Sequence, residues 1–133
     1  MALQTPLITM TYVAAIAIVM AILSVRVGVL RGKYDVPLGD GDNSTLALVI
    51  RRFGNLAEYA AMALLLLLLM ELKGVDAFWL HAYGTAFVVL RLLHPLVLFD
   101  DSAAPLWKKA GRFVSAAGTA FLMFVAALVL LIG

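Results

Sequence analysis

Four long apolar stretches, separated by short polar segments, set the organisation of this chain. Residues 7–25 carry no charge and are long enough to cross a hydrocarbon layer of roughly 30 Å. Segment 26–44 then brings Arg26, Arg31, Lys33, Pro37 and the cluster Gly39-Asp40-Gly41-Asp42, which reads as a loop. Ser44 or Thr45 is placed to cap a second helix running from about Leu46 to about Leu72. Glu71 to Asp76, with Lys73 and Gly74, forms a tight connection to a third helix over 77–98. A polar turn at 100–105 leads to the last helix, whose residues 113–133 are free of charge. The pattern predicts one all-α membrane domain over 1–133, with helices at about 7–30, 46–72, 77–98 and 105–132. The run Leu64 to Leu69 suits a lipid-facing surface, and Gly111, Ser115, Gly118 and Thr119 suit close helix contact.

Composition sharpens this into an integral membrane protein. The chain is 65% hydrophobic with a mean hydropathy of +1.06, well above the roughly 45–50% apolar usage of soluble domains. A small soluble fold leaves too much surface in water to hide that content. There are no cysteines, which removes disulfides, thiolate metal sites and a cysteine nucleophile. His81 and His94 are the only histidines, and no metal-ligand spacing occurs, so no metal is expected. A net charge of +2 is too small for nucleic-acid binding. Nothing before Arg26 is charged, so the first span is expected to stay in place rather than be cleaved. Arg26, Arg31, Lys33, Arg51 and Arg52 flank the first loop, and Lys108, Lys109 and Arg112 the third, against Lys73 alone in the second. The positive-inside rule then puts loops one and three in the cytoplasm and both termini outside.

Candidate chemistry begins where the second span opens. Arg51, Asn55 and Glu58 fall at i, i+4 and i+7, on one helical face. A charge within a membrane span costs roughly 2.5–3.5 kcal/mol on insertion scales, so it calls for a use or a partner. The third span runs antiparallel and brings Arg91 and His94 to a similar depth. Two readings follow. Glu58 and Arg91 form a structural ion pair, or the set lines a cavity for a zwitterionic ligand. Tyr59 either donates a phenolic hydrogen bond into that cavity or packs. His81 reads as interfacial, Asp100-Asp101 as a solvated turn, Trp79 and Tyr83 as an outer aromatic belt, and Trp107 as an inner one.

Arg51-x-x-x-Asn55-x-x-Glu58-Tyr59, opening the second of four spans, resembles the signature of the MAPEG family, the membrane-associated proteins of eicosanoid and glutathione metabolism. Arg91-x-x-His94 near the end of the third span is similar to that family's second motif. The resemblance implies a left-handed four-helix bundle, a homotrimer, and a glutathione site at each subunit interface. By similarity Arg51 binds a carboxylate, Glu58 the γ-glutamyl amine, and Asn55 and Tyr59 orient the peptide. Arg91 supports Glu58 or the ligand, with His94 beside it. Arg26, or alternatively Arg31, resembles an arginine that reaches a neighbouring subunit's glutathione. Eicosanoid-making members place a thiolate-stabilising arginine in the turn before helix four; here residues 100–107 have none. Ser102, Lys108 and Arg112 are the candidates for that catalytic task.

The function this implies is transfer of glutathione, as co-substrate, to hydrophobic electrophiles arriving from lipid along a groove between helices one and four, with lipid hydroperoxide reduction as a variant. A non-catalytic glutathione- or lipid-binding membrane protein of the same family is the alternative. A four-span proton-coupled exporter fits poorly, because its glutamate belongs in a first span that here is uncharged.

Overall fold

The computed structural model describes residues 5–99 and 104–132. It contains four α-helices, α1 (Leu7–Tyr34), α2 (Ser44–Leu72), α3 (Ala77–Val97) and α4 (Leu106–Ile132), and no strand among the described residues. All four are long and apolar enough to span a membrane.

Heptad spacing explains how they pack. On α2 the buried residues are Leu46, Val49, Leu56, Ala60, Ala63, Leu67 and Met70, alternating steps of three and four once half-buried Phe53 is included. On α3, Leu80, Gly84, Phe87, Arg91 and His94 repeat the pattern. On α1 the seam narrows to Thr9, Ile16 and Leu23, and on α4 to Ser115, Thr119 and Ala126. A 3.5-residue period is the knobs-into-holes signature of left-handed packing. α2 and α3 form a central pair; α1 and α4 each pack against both of them and not against each other. The expected groove between helices one and four is therefore absent within one chain. A groove lined by both can form only between two copies.

Small residues admit the closest approaches. A Cβ on Gly84 would run into the Tyr12 ring of α1. One on Gly111 would meet Val97 at 2.8 Å, and one on Gly118 would meet Leu90 at 3.1 Å. Tyr12 Oη also bonds His81 Nδ1 at 3.0 Å and Thr85 Oγ1 at 2.9 Å, so His81 ties α3 to α1. Two expectations change here. Tyr83 is not a belt residue: it is buried and donates to Ala63 O at 3.1 Å. The leucine run is not wholly lipid-facing, since Leu67 is fully buried between exposed Leu65 and Leu69.

The remaining differences concern helix ends, whose orphan amides and carbonyls need partners. α1 runs on to Tyr34 before Asp35 turns left-handed at φ 53°, because Arg26, Arg31 and Lys33 forbid lipid but not helix. Asn43, rather than Ser44 or Thr45, caps α2, its side chain accepting from Leu46 N at 3.0 Å. Glu71 belongs to the last turn of α2, and its two carboxylate oxygens accept from Ile8 N and Thr9 N at 2.9 and 2.7 Å. Lys73 Nζ donates to Val129 O and Leu130 O, both at 3.0 Å. At the other end Arg52 Nη2 donates to Leu98 O at 2.9 Å. Helix two thus closes one end of every other helix.

Replacing Glu71 by Ala removes both acceptors from the start of α1. The expected loss is about 1–2 kcal/mol, that of a deleted N-cap, read as a lower midpoint of thermal unfolding in detergent with faster amide exchange at Ile8 and Thr9. Unchanged exchange at those amides would show that the cap does not protect them.

Candidate functional site

Arg51 and Glu58 lie seven residues apart, on the α2 face opposite its heptad seam. Their side chains are 62% and 53% exposed, and Arg51 Nη1 donates to Glu58 Oε1 at 3.1 Å. Glu58 stands at the middle of α2, where a carboxylate open to lipid is expensive. The pair shortens that exposure without ending it.

One position round the helix, Asn55 turns inward. Its Oδ1 accepts from Arg91 Nη1 at 2.9 Å. Arg91 is 2% exposed, and its Nη2 donates to Ser115 O at 2.7 Å and Thr119 Oγ1 at 2.6 Å. Thr119 Oγ1 donates in turn to Ser115 O at 2.8 Å, and the guanidinium sits over the Tyr59 ring at 5.2 Å. Arg91 therefore links α2, α3 and α4 through neutral oxygens and a π face. The Glu58–Arg91 ion pair, one of the two readings, is not formed: Glu58 points to the outer face of α2 and Arg91 into the bundle. Asn55, Tyr59 and Arg91 are brought together, while Arg51 and Glu58 form a separate outward pair. Sequence reasoning missed Ser115 and Thr119 as acceptors. The Thr119 hydroxyl was the available signal, since the Ser115 acceptor is a backbone carbonyl.

Arg51 stands between two clefts at the arginine-rich end of the bundle. One, of about 290 Å³, is lined by Ser44, Ala47, Leu48, Leu98, Phe99 and Arg112 beside Arg51. The other, also about 290 Å³, adds Arg31, Gly39, Asp40 and Ile50. Arg31 Nη1 additionally holds Val36 O at 3.2 Å. His94 is buried, with Arg91, Arg112 and Arg51 as its neighbouring charges. Arg26 lies elsewhere, in a groove between α1 and α3. Lys108 Nζ lies over the Trp107 ring at 5.5 Å. Ser102 falls outside the described residues, as do Asp100 and Asp101. Among the described residues no group of histidine and acidic side chains could hold a metal ion.

This arrangement suits a flexible anion. Guanidinium groups at Arg31, Arg51 and Arg112 offer bidentate donors to carboxylates, and Glu58, with Asp40 in the second cleft, offers acidic counter-charge for an ammonium. Among the described residues nothing covers the outer side of the Arg51–Glu58 pair.

Comparison with known proteins identifies the chain's relatives. The profile of the MAPEG family matches residues 9–129. Inner membrane protein YecN from Escherichia coli strain K12 is 34% identical over 88 residues, 66% of this chain and 67% of its own length. YecN from Escherichia coli O6:H1 matches to the same extent, at 34% over 88 residues. No solved structure matches the chain significantly.

Arg91→Ala would strand the Asn55 amide oxygen and leave a cavity inside the bundle, while Thr119 Oγ1 keeps its bond to Ser115 O. A loss of about 3 kcal/mol is expected, the upper range for a hydrogen bond to a charged group, with Thr119→Val costing less. Reversible unfolding in mixed micelles measures both. A wild-type midpoint for Arg91→Ala would mean that the buried guanidinium holds nothing together.

Proposed function

The chain belongs to the MAPEG family, and on that footing we propose that it is a membrane glutathione transferase acting on hydrophobic electrophiles. The observation that supports this best is the outward Arg51–Glu58 pair, flanked by clefts that reach Arg31 and Arg112. Glutathione carries two carboxylates, an ammonium group and a thiol. In this reading Arg51 takes one carboxylate and Glu58 exchanges Arg51 for the ammonium. Of the two alternatives on α1, Arg31 is favoured for the second carboxylate because it shares a cleft with Arg51. Asn55, Tyr59 and Arg91 act behind the ligand: Arg91 fixes the Asn55 amide and the Tyr59 ring, and His94 fills the space next to it. A homotrimer would place a neighbouring copy over the exposed face of α2 and create the α1–α4 groove that a single chain lacks. Loops one and three would then lie in the cytoplasm, where glutathione is met.

Chemistry needs the thiolate. A free thiol of pKa about 8.5 is mostly protonated at neutral pH, and adjacent positive charge raises the anionic fraction. Arg112 is the cation best placed for this, since it shares the Arg51 cleft; Lys108 and Ser102 are secondary. The thiol proton passes to solvent. The sulfur attacks the electrophilic carbon, a C–S bond forms, and the leaving group departs with its electron pair. With a lipid hydroperoxide the same thiolate attacks a peroxide oxygen. The O–O bond breaks to give the lipid alcohol and a sulfenic acid, which a second glutathione converts to the disulfide and water. Proximity and charge stabilisation supply most of the acceleration.

A non-catalytic binding protein is the second reading, favoured by the lack of an arginine in residues 100–107. Turnover of an aryl halide with glutathione separates the two, since binding without conjugation selects the second. Arg51→Ala and Glu58→Gln are each expected to weaken glutathione binding about tenfold or more, one charge-assisted hydrogen bond's worth, with the fold intact. Calorimetry giving wild-type affinity for both would remove the site. Arg112→Ala is expected to lower kcat more than it raises KM, because it acts on the thiolate rather than on the peptide.

A further inference from the structure

Arg51 and Arg52 are neighbours in sequence but about 100° apart around α2, and they serve different surfaces. Arg52 passes between the helices to the end of α3, where Nη2 caps Leu98 and Nε is buried without a hydrogen-bond partner. There it meets Arg26 of α1, close enough for the two charges to repel. Both line a groove of about 470 Å³ between α1 and α3, whose walls are Val19, Ile22, Leu23, Leu92 and Leu96. Ile22 and Leu96 are 63% and 74% exposed on its rim, so the apolar wall opens sideways toward lipid. Among the described residues Arg51–Glu58 is the one ion pair, and it leaves this arginine couple alone.

Two guanidinium groups at the head of an apolar trough have the chemistry of a phospholipid turned inside out. Guanidinium binds phosphate oxygens bidentately, one phosphate between two arginines converts their repulsion into attraction, and basic hollows between spans hold anionic headgroups in other membrane proteins. We propose that the α1–α3 groove is a binding site for one anionic phospholipid, its phosphate bridging Arg26 and Arg52 and its acyl chain lying along Val19, Ile22, Leu92 and Leu96. The site is separate from the Arg51–Glu58 face and does not depend on what that face binds.

Native mass spectrometry of the detergent-purified protein, titrated with phosphatidylglycerol, phosphatidylcholine or glycerol 3-phosphate, tests this. One retained phosphatidylglycerol per chain is expected, at least tenfold tighter than phosphatidylcholine, with glycerol 3-phosphate weaker still. Arg26→Ala should weaken phosphatidylglycerol about fivefold, the contribution of one arginine near an anionic headgroup, and Arg26→Lys should restore most of it. Leu96→Trp fills the trough without touching the arginines and should abolish retention. Lys33→Ala, an exposed cation off the groove, should change nothing. Arg51→Ala and Glu58→Gln should leave lipid binding intact, so failure of the glutathione assignment would not be mistaken for failure of this one. Equal retention of both lipids, glycerol 3-phosphate binding as tightly as phosphatidylglycerol, or an unaffected Arg26→Ala overturns the proposal. A second copy seated on the groove would show as Leu96→Trp breaking the assembly with phosphatidylglycerol binding unchanged, which also overturns it.

Discussion

A buried guanidinium with no carboxylate partner among the described residues is the constraint around which this bundle is arranged. Arg91 is almost wholly enclosed in a fold that lipid, not water, surrounds. A bare charge there is too costly to exist without dense donors and acceptors. Its partners come from two helices: the Asn55 amide and the Tyr59 ring from α2, and the Ser115 carbonyl and Thr119 hydroxyl from α4. Meeting all of them at once fixes the rotation and the height of α2 and α4 relative to α3. Apolar heptads alone do this poorly in a bilayer, where neighbouring lipid is as apolar as another helix.

That registration has an effect on the opposite face of α2. With Asn55 held inward by Arg91 and the seam of Leu46, Val49 and Leu56 buried, Arg51 and Glu58 are left pointing away from the bundle. The polarity of the outward face follows from the polarity of the core, through helical geometry alone. Charge complementarity then extends along the helix, where Glu71, Lys73 and Arg52 each meet a helix terminus of matching sign: carboxylate at amides, ammonium and guanidinium at carbonyls.

Much of this could be read in the sequence. The four spans, the all-α class and the face shared by Arg51 and Glu58 rest on periodicity and length, which act locally. What escaped depends on tertiary proximity. Glu71 looked like part of a turn because its partners, Ile8 and Thr9, are more than sixty residues away. Ser115 and Thr119 looked like small packing residues because their role exists only once Arg91 arrives. Glu58 and Arg91 seemed natural partners because opposite charges at equal depth invite pairing, but depth says nothing of azimuth, and the two point different ways. The end of α1 was set early for another reason: charged residues end a membrane crossing without ending a helix.

The attachment of α1 is lopsided. Among the described residues, its polar links to the other helices are confined to Ile8, Thr9 and Tyr12, and farther along only apolar side chains such as Ile16 and Leu23 hold it. Its polar fastening is thus all at one tip, and the rest of its length is held by burial alone. Arg31 sits roughly 33 Å from that tip at 1.5 Å per residue. Beyond that tip the rod keeps its place through apolar packing against α2 and α3, so the bonds at Ile8, Thr9 and Tyr12 alone set its register along its own axis.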